Sequence, residues 1–189
     1  MAAMGQVRQD HGWMRALNVT YHILAMQVFI VIVLAHWVEH ILQAVQIYLL
    51  GWARPDAKGG LGLVFPWLVT SEWLHYAYAL AMLVGLLVLR PAFMGRDRVW
   101  WDIALALQLW HHFEHALLLV QATTGNFLFG RPVPTSFAQL LVQRVELHLF
   151  YNAVVFIPML IASIYHMYPR QGESVVYECT CARRPLAKT

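Results

Sequence analysis

Charged side chains are scarce in this 189-residue chain, since Asp, Glu, Lys and Arg together make up 12% of it. Soluble domains carry about 25% of these residues, so the composition excludes an ordinary soluble domain. No Gly-x-Ser-x-Gly elbow and no Gly-rich phosphate loop followed by Lys and Ser or Thr occurs, which argues against nucleophilic hydrolases and nucleotide-binding folds. A clustered basic patch is also lacking, so we expect no nucleic-acid partner.

Cysteine occurs twice, as Cys179 and Cys181 near the C-terminus. One Cys-x-Cys pair is only half of a four-thiolate metal site. The sequence therefore favours an ordinary tail with two reduced thiols.

Apolar residues dominate what remains, at 60% of the chain with a mean hydropathy of +0.54. They form continuous runs, each longer than the roughly 20 residues that cross a bilayer as a helix. β-Strands of a barrel would instead alternate with polar residues over about 10 positions. We predict an all-α polytopic membrane four-helix bundle, with an N-terminal segment 1–15, a transmembrane domain 16–168 and a C-terminal tail 169–189. The predicted helices cover about 16–50, 63–89, 99–122 and 137–168.

Basic residues are unevenly distributed among the segments that flank these helices. More of them lie before the first helix, between the second and third, and after the fourth than in the other two loops. By the positive-inside rule, both termini are predicted to be cytoplasmic. The expected surroundings are the lipid bilayer and, for a small apolar bundle, other membrane subunits or further copies of the chain.

Each predicted helix carries histidine together with glutamate, residues that are costly in hydrocarbon unless they pair, bind a metal or line a path. We predict that these groups form an intramembrane metal site. The predicted ligands are His36, Glu39, His40, Glu72, His75, His111, Glu114, His115 and His148.

Helical geometry supports this convergence, because residues three and four apart share one face. His36 and His40 form one such stripe, and His111 and His115 form another. Counting from the predicted outer helix ends at 1.5 Å per residue places the histidines of all four helices about 15 to 18 Å deep. Six more residues near these ligands are predicted to orient them. They are Gln43, His112, Arg144, Glu146, Tyr151 and Asn152.

The first and second halves of the chain share this pattern. Aligning Glu39-His40 with Glu114-His115 also aligns Gln46 with Gln121. The sequence therefore predicts a duplicated helical hairpin, with two half-sites that meet at the repeat interface.

Imidazole and carboxylate ligands suit transition metals better than magnesium or calcium. The first hypothesis is a dinuclear centre, with iron favoured and copper or zinc as alternatives, in an oxidoreductase that acts on a lipophilic substrate or quinone. A second hypothesis is a haem b electron carrier in which His22 and His166 are additional axial ligands. A third is a non-catalytic subunit that holds metal or pigment in a larger membrane complex.

Overall fold

The computed structural model describes residues 12–170 together with Glu178, Cys179 and Cys181. It is helical, and no strand occurs in that part of the chain. Residues 1–11 of the predicted N-terminal segment lie outside the described part of the chain, and so does most of the predicted C-terminal tail. Four helices are long and apolar enough to cross a membrane, as the sequence predicts. They are His22–Tyr48, Arg96–Thr124, Arg144–Met167 and Glu72–Leu89, the last continuing through a 3₁₀ turn at Arg90–Ala92.

The second long helix begins at Glu72, later than the apolar run suggests. Pro66 starts a separate short helix, Pro66–Val69, because proline has no N–H to donate and fits the first helical turn. Ser71 then caps the long helix by accepting a hydrogen bond from the Trp73 N–H at 3.2 Å. A further short helix, Leu61–Val64, precedes both.

The fourth long helix also begins late, at Arg144, after a 3₁₀ turn at Ala138–Leu140. His75 and His148 therefore lie in the first turns of their helices. For these two histidines, the predicted depth of about 15 to 18 Å assumes helix starts at residues 63 and 137, which lie outside these helices.

The remaining helical segments are short. Gly12–Arg15 and a π turn, Ala16–Thr20, precede the first long helix. Leu128–Gly130 forms a 3₁₀ turn after the third long helix, which ends at Gly125 in the left-handed conformation with φ 70°.

The apolar core fills the half of the bundle that contains the connection between the second and third long helices. Trp101 is fully buried, stacks on Phe93 with ring centroids 4.0 Å apart, and donates from Nε1 to the Leu86 carbonyl at 2.8 Å. Phe29 packs so closely on Gly85 that an added Cβ would lie 2.3 Å from the phenyl ring. Many apolar side chains on the outside of the long helices are exposed, which suits contact with lipid.

Candidate metal centre

Six histidines meet in the other half of the bundle, and every long helix contributes at least one. They are His36 and His40, His75, His111 and His115, and His148. The His148 ring lies at their centre, with ring centroids 4.7 Å from His40, 5.2 Å from His115, 5.5 Å from His111 and 6.1 Å from His75.

The tightest group within this imidazole cluster comprises His111, His115 and His148. All three are buried, and one ring nitrogen from each lies within 4.8 Å of the others. The Nε2 atoms of His111 and His115 are 3.3 Å apart. Helical spacing produces this approach, because residues four apart lie one above the other on the same face.

Hydrogen bonds at Nδ1 orient three of the imidazoles. His75 donates to the Ser71 carbonyl at 2.9 Å and His148 donates to the Arg144 carbonyl at 2.7 Å, so each ring is held by the backbone four residues earlier. His40 donates to Gln43 Oε1 at 2.7 Å. A neutral imidazole that donates from Nδ1 keeps a lone pair on Nε2.

The Nε2 atoms of His40 and His148 are buried and have no hydrogen-bond partner among the described residues. Buried polar atoms normally have a partner, so two such atoms beside other imidazoles require an explanation. A metal ion that accepts these lone pairs would provide it. The donor chemistry therefore fits a transition metal.

Tyrosine rings cover one histidine of each stripe. Tyr78 stacks on His36 with centroids 4.0 Å apart, and Tyr151 stacks on His111 with centroids 4.2 Å apart. The Tyr78 hydroxyl donates to the Ile32 carbonyl, and the Tyr151 hydroxyl accepts from Nε1 of Trp110 at 2.9 Å. The phenol rings thus confine the imidazoles from the side.

Two of the predicted carboxylate ligands bind loop backbone. The Glu39 carboxylate accepts from the Leu61 N–H at 3.0 and 3.1 Å, and Glu114 Oε1 accepts from the Ala138 N–H at 3.1 Å. Both N–H groups belong to the loops that enter the second and fourth long helices. These carboxylates therefore hold the loops against the end of the bundle that contains the imidazole cluster.

The third predicted carboxylate ligand, Glu72, and the predicted orienting residue Glu146 both bind arginines. Glu72 forms a two-point ion pair with Arg144, at 2.5 and 2.7 Å, which joins the starts of the second and fourth long helices. Glu146 accepts from the Arg54 guanidinium at 2.6 and 3.0 Å and from the Tyr48 hydroxyl. Hydrogen bonding to Glu146 raises the pKa of Arg54 above its ordinary value.

A small cavity opens beside the imidazole cluster, and its lining includes His36, His75, His111, His115 and Asn152. Its volume is about 20 Å³, which is room for about one water molecule. Apolar side chains, including Trp37 and Phe156, line most of the rest, together with Gln108 and two tyrosines. His112, in contrast, lies on another face of the third long helix, with its ring 5.1 Å from Tyr76.

His22 and His166 lie at the opposite end of the bundle. Their rings meet edge to face with centroids 5.1 Å apart, and Phe93 packs against both. Sequence reasoning missed that Cys179 and Cys181 join them, with one ligand atom from each of these four residues within 4.8 Å of the others. The Cys-x-Cys spacing was the signal, but it did not indicate the histidines as partners. The two cysteines are joined as a disulfide, so the prediction of two reduced thiols is wrong for this structure.

Comparisons with known proteins identify no relative of this chain. No protein-family model, curated protein or solved structure matches the chain.

Proposed function

We propose that this protein is an integral membrane metalloprotein whose imidazole cluster holds a redox-active transition metal. The observation that carries this proposal is the convergence of His111, His115 and His148, whose ring nitrogens lie within 4.8 Å of one another in a buried position. Three imidazoles with one adjacent cavity resemble an open metal site, in which the protein supplies some ligands and leaves a position for another.

The proposed centre is dinuclear, with His36, His40 and His75 available to a second ion. The support is that His40 and His75 lie near the central imidazole, at 4.7 and 6.1 Å between ring centroids, while His36 lies 4.4 Å from His40. Their Nδ1 contacts leave the Nε2 atoms of His40 and His75 as potential ligands.

Copper becomes the favoured metal when the contacts of the carboxylates are considered. Iron is the metal favoured from the sequence, where glutamates are predicted as ligands, but Glu39, Glu72 and Glu114 have other partners. Imidazole ligands suit copper, zinc and iron, and copper(II) binds most tightly among the divalent ions of this series. A bound copper or iron would supply one-electron redox chemistry.

The chain's own residues would bind and confine a small reactant. Tyr78 and Tyr151 restrict the rings on which they stack, while Trp37 and Phe156 form part of an apolar wall of the cavity. Because the cavity measures about 20 Å³, it fits oxygen, peroxide or water better than a lipid tail. A lipophilic substrate or quinone would then exchange electrons from the outside of the bundle.

Haem b is less well supported than a bare metal. The His22 and His166 rings touch edge to face at 5.1 Å, with Phe93 against both, which leaves no flat slot between them for a porphyrin. A strong Soret band in the purified protein would reverse this preference.

We also propose the duplicated hairpin and the cytoplasmic orientation of both termini. Glu39 with Gln46 binds the backbone of Leu61 and Gly59, while Glu114 with Gln121 binds that of Ala138 and Thr135. This correspondence supports a repeat. Two arginines, Arg90 and Arg98, pair with Asp102. They lie at the end of the bundle that the positive-inside rule assigns to the cytoplasm.

The test is metal analysis, with optical and paramagnetic resonance spectra, of protein purified without a metal-affinity column. We expect copper or iron in the wild type, its loss from His115→Ala, and its retention in the matched control His112→Ala, whose histidine lies outside the cluster. Tryptophan fluorescence and helicity establish that each variant is folded. Equal content of these metals in both variants would refute the proposed centre, and zinc alone would leave a binding role without redox chemistry.

A further inference from the structure

A second group of ligand-type side chains lies at the inner end of the bundle, opposite the imidazole cluster. His22 begins the first long helix, His166 lies in the last turn of the fourth, and Cys179 and Cys181 belong to the tail. His166 Nε2 lies 3.1 Å from the Cys179 sulfur and 2.8 Å from the Cys181 sulfur. Both imidazoles and Cys179 are buried.

Asp97 holds the His166 ring in the orientation that presents Nε2 to the sulfurs. Its Oδ2 accepts from His166 Nδ1 at 2.9 Å, and its Oδ1 accepts from the Gly95 and Arg98 N–H groups, each at 2.8 Å. The carboxylate is fully buried. A carboxylate behind an imidazole is the common support of a metal-binding histidine, since it fixes the tautomer and the ring direction.

His22 supplies an independent indication of a ligand. It is 1% exposed, and neither of its ring nitrogens has a hydrogen-bond partner within the described part of the chain. An imidazole buried in this way loses its hydrogen bonds to water without replacement, which is costly. A metal ion bound at one nitrogen would compensate for this loss.

We propose that His22, His166, Cys179 and Cys181 form a structural zinc site when the two cysteines are reduced. Two imidazoles and two thiolates are a common tetrahedral set for zinc. Zn–N bonds of about 2.0 to 2.1 Å and Zn–S bonds of about 2.3 Å place tetrahedral ligand atoms roughly 3.3 to 3.8 Å apart. The ligand atoms of these four residues already lie within 4.8 Å of one another, so only small movements are needed to reach the tetrahedral arrangement.

The two sulfurs are joined as a disulfide in the structure, so zinc binding requires a preceding reduction. Two equivalents of a thiol reductant break the S–S bond, deliver two electrons and two protons to the cysteines, and leave as their own disulfide. Zinc then replaces the two thiol protons, which are released. A cytoplasmic location of the tail, proposed above, would keep the thiols reduced.

Such an ion would fasten the C-terminal tail to the bundle. It would link the start of the first long helix, the end of the fourth and the segment that contains both cysteines, while Asp97 adds the start of the third. The beginning of the described chain and its C-terminal part would thereby be joined at one point. The site would therefore stabilise the assembled bundle.

The experiment uses the full chain in detergent, purified without a metal-affinity column and reduced with a phosphine. Zinc is added, loosely bound metal is removed by a chromophoric chelator, and zinc per chain is measured. We expect one zinc equivalent more in the wild type than in Cys179→Ser/Cys181→Ser. Cobalt substitution should give a thiolate charge-transfer band in the wild type that the double variant lacks.

Three controls distinguish zinc bound at this site from zinc bound elsewhere on the protein. His115→Ala, in the imidazole cluster, should keep the zinc that the cysteine variant loses, so the two sites succeed or fail independently. Asp97→Asn should weaken zinc binding about 10-fold to 100-fold in chelator competition. The disulfide form should lack this equivalent of zinc.

Either of two results would overturn the inference. One is equal zinc content in the reduced wild type and the cysteine variant. The other is retention of the same zinc by the disulfide form, which would exclude thiolate ligation.

Discussion

The ion pair between Glu72 and Arg144 provides a test of whether Glu72 is a metal ligand or a structural group. Its two contacts of 2.5 and 2.7 Å occupy both Glu72 oxygens, and the Glu72 side chain is 9% exposed while that of Arg144 is 37% exposed. Charge-assisted hydrogen bonds of this kind contribute about 1.5 to 3 kcal/mol each. Solvent around the half-exposed guanidinium reduces this contribution, so we expect a coupling energy of about 1 to 3 kcal/mol for the pair.

A double-mutant cycle measures that coupling. Glu72→Gln and Arg144→Gln should each destabilise the bundle, and the double variant should lose less than the sum of the two losses. Unfolding in mixed micelles, followed by tryptophan fluorescence and helicity, gives the free energies. Metal content should remain that of the wild type in all three variants, because the backbone carbonyl of Arg144, not its guanidinium, holds His148. Loss of metal from Glu72→Gln with no coupling to Arg144 would mean that Glu72 is a ligand.

Three glycine substitutions test how closely the loops and helices approach one another. Gly51 and Gly59 have φ of 69° and 71°, so alanine at either position should cost about 1 to 2 kcal/mol of backbone strain. A Cβ at Gly59 would also lie 2.3 Å from the Glu39 carboxylate, whereas a Cβ at Gly51 would meet open space. Gly59→Ala should therefore be the more destabilising of the two in thermal unfolding. Equal losses of stability would contradict the contact between Gly59 and Glu39. Gly85→Ala should displace the Phe29 ring and destabilise the core by about 1 to 3 kcal/mol, a loss that Phe29→Leu in the same chain should partly reverse. If Gly85→Ala alone melts like the wild type, the packing of these two helices is looser than described.

Helical periodicity was sufficient to predict the all-helical architecture and the approach of His111 to His115. Four continuous apolar runs could only cross a bilayer as helices, and histidines four apart necessarily share one helix face. The start of each long helix was harder to predict. The apolar run that contains Pro66 and Ser71 is hydrophobic throughout, so hydropathy predicts one continuous helix there. In the structure, Pro66 begins a short helix and Ser71 caps the start of the next one.

The partners of the glutamates could not be read from the sequence. Glu39 and Glu114 share helix faces with histidines, and this arrangement fits metal ligation and loop binding equally well. The loop N–H groups of Leu61 and Ala138 are distant in sequence, and only the folded chain brings them to the carboxylates. The cysteine pair illustrates the same limit, because its contact with His166 depends on the path of the tail.

The contacts of two glutamines also explain how the loops pack against the first and third long helices. Irregular backbone in an apolar region requires a partner for each N–H and carbonyl, and water is excluded there. Gln46 meets this requirement for Gly59 with bonds of 2.8 and 3.2 Å, and Gln121 meets it for Thr135 with bonds of 3.2 and 2.9 Å. Glutamine presents a donor and an acceptor together, so one side chain satisfies both backbone groups of a loop residue. The loops can therefore fold over the helix ends without exposing unpaired backbone.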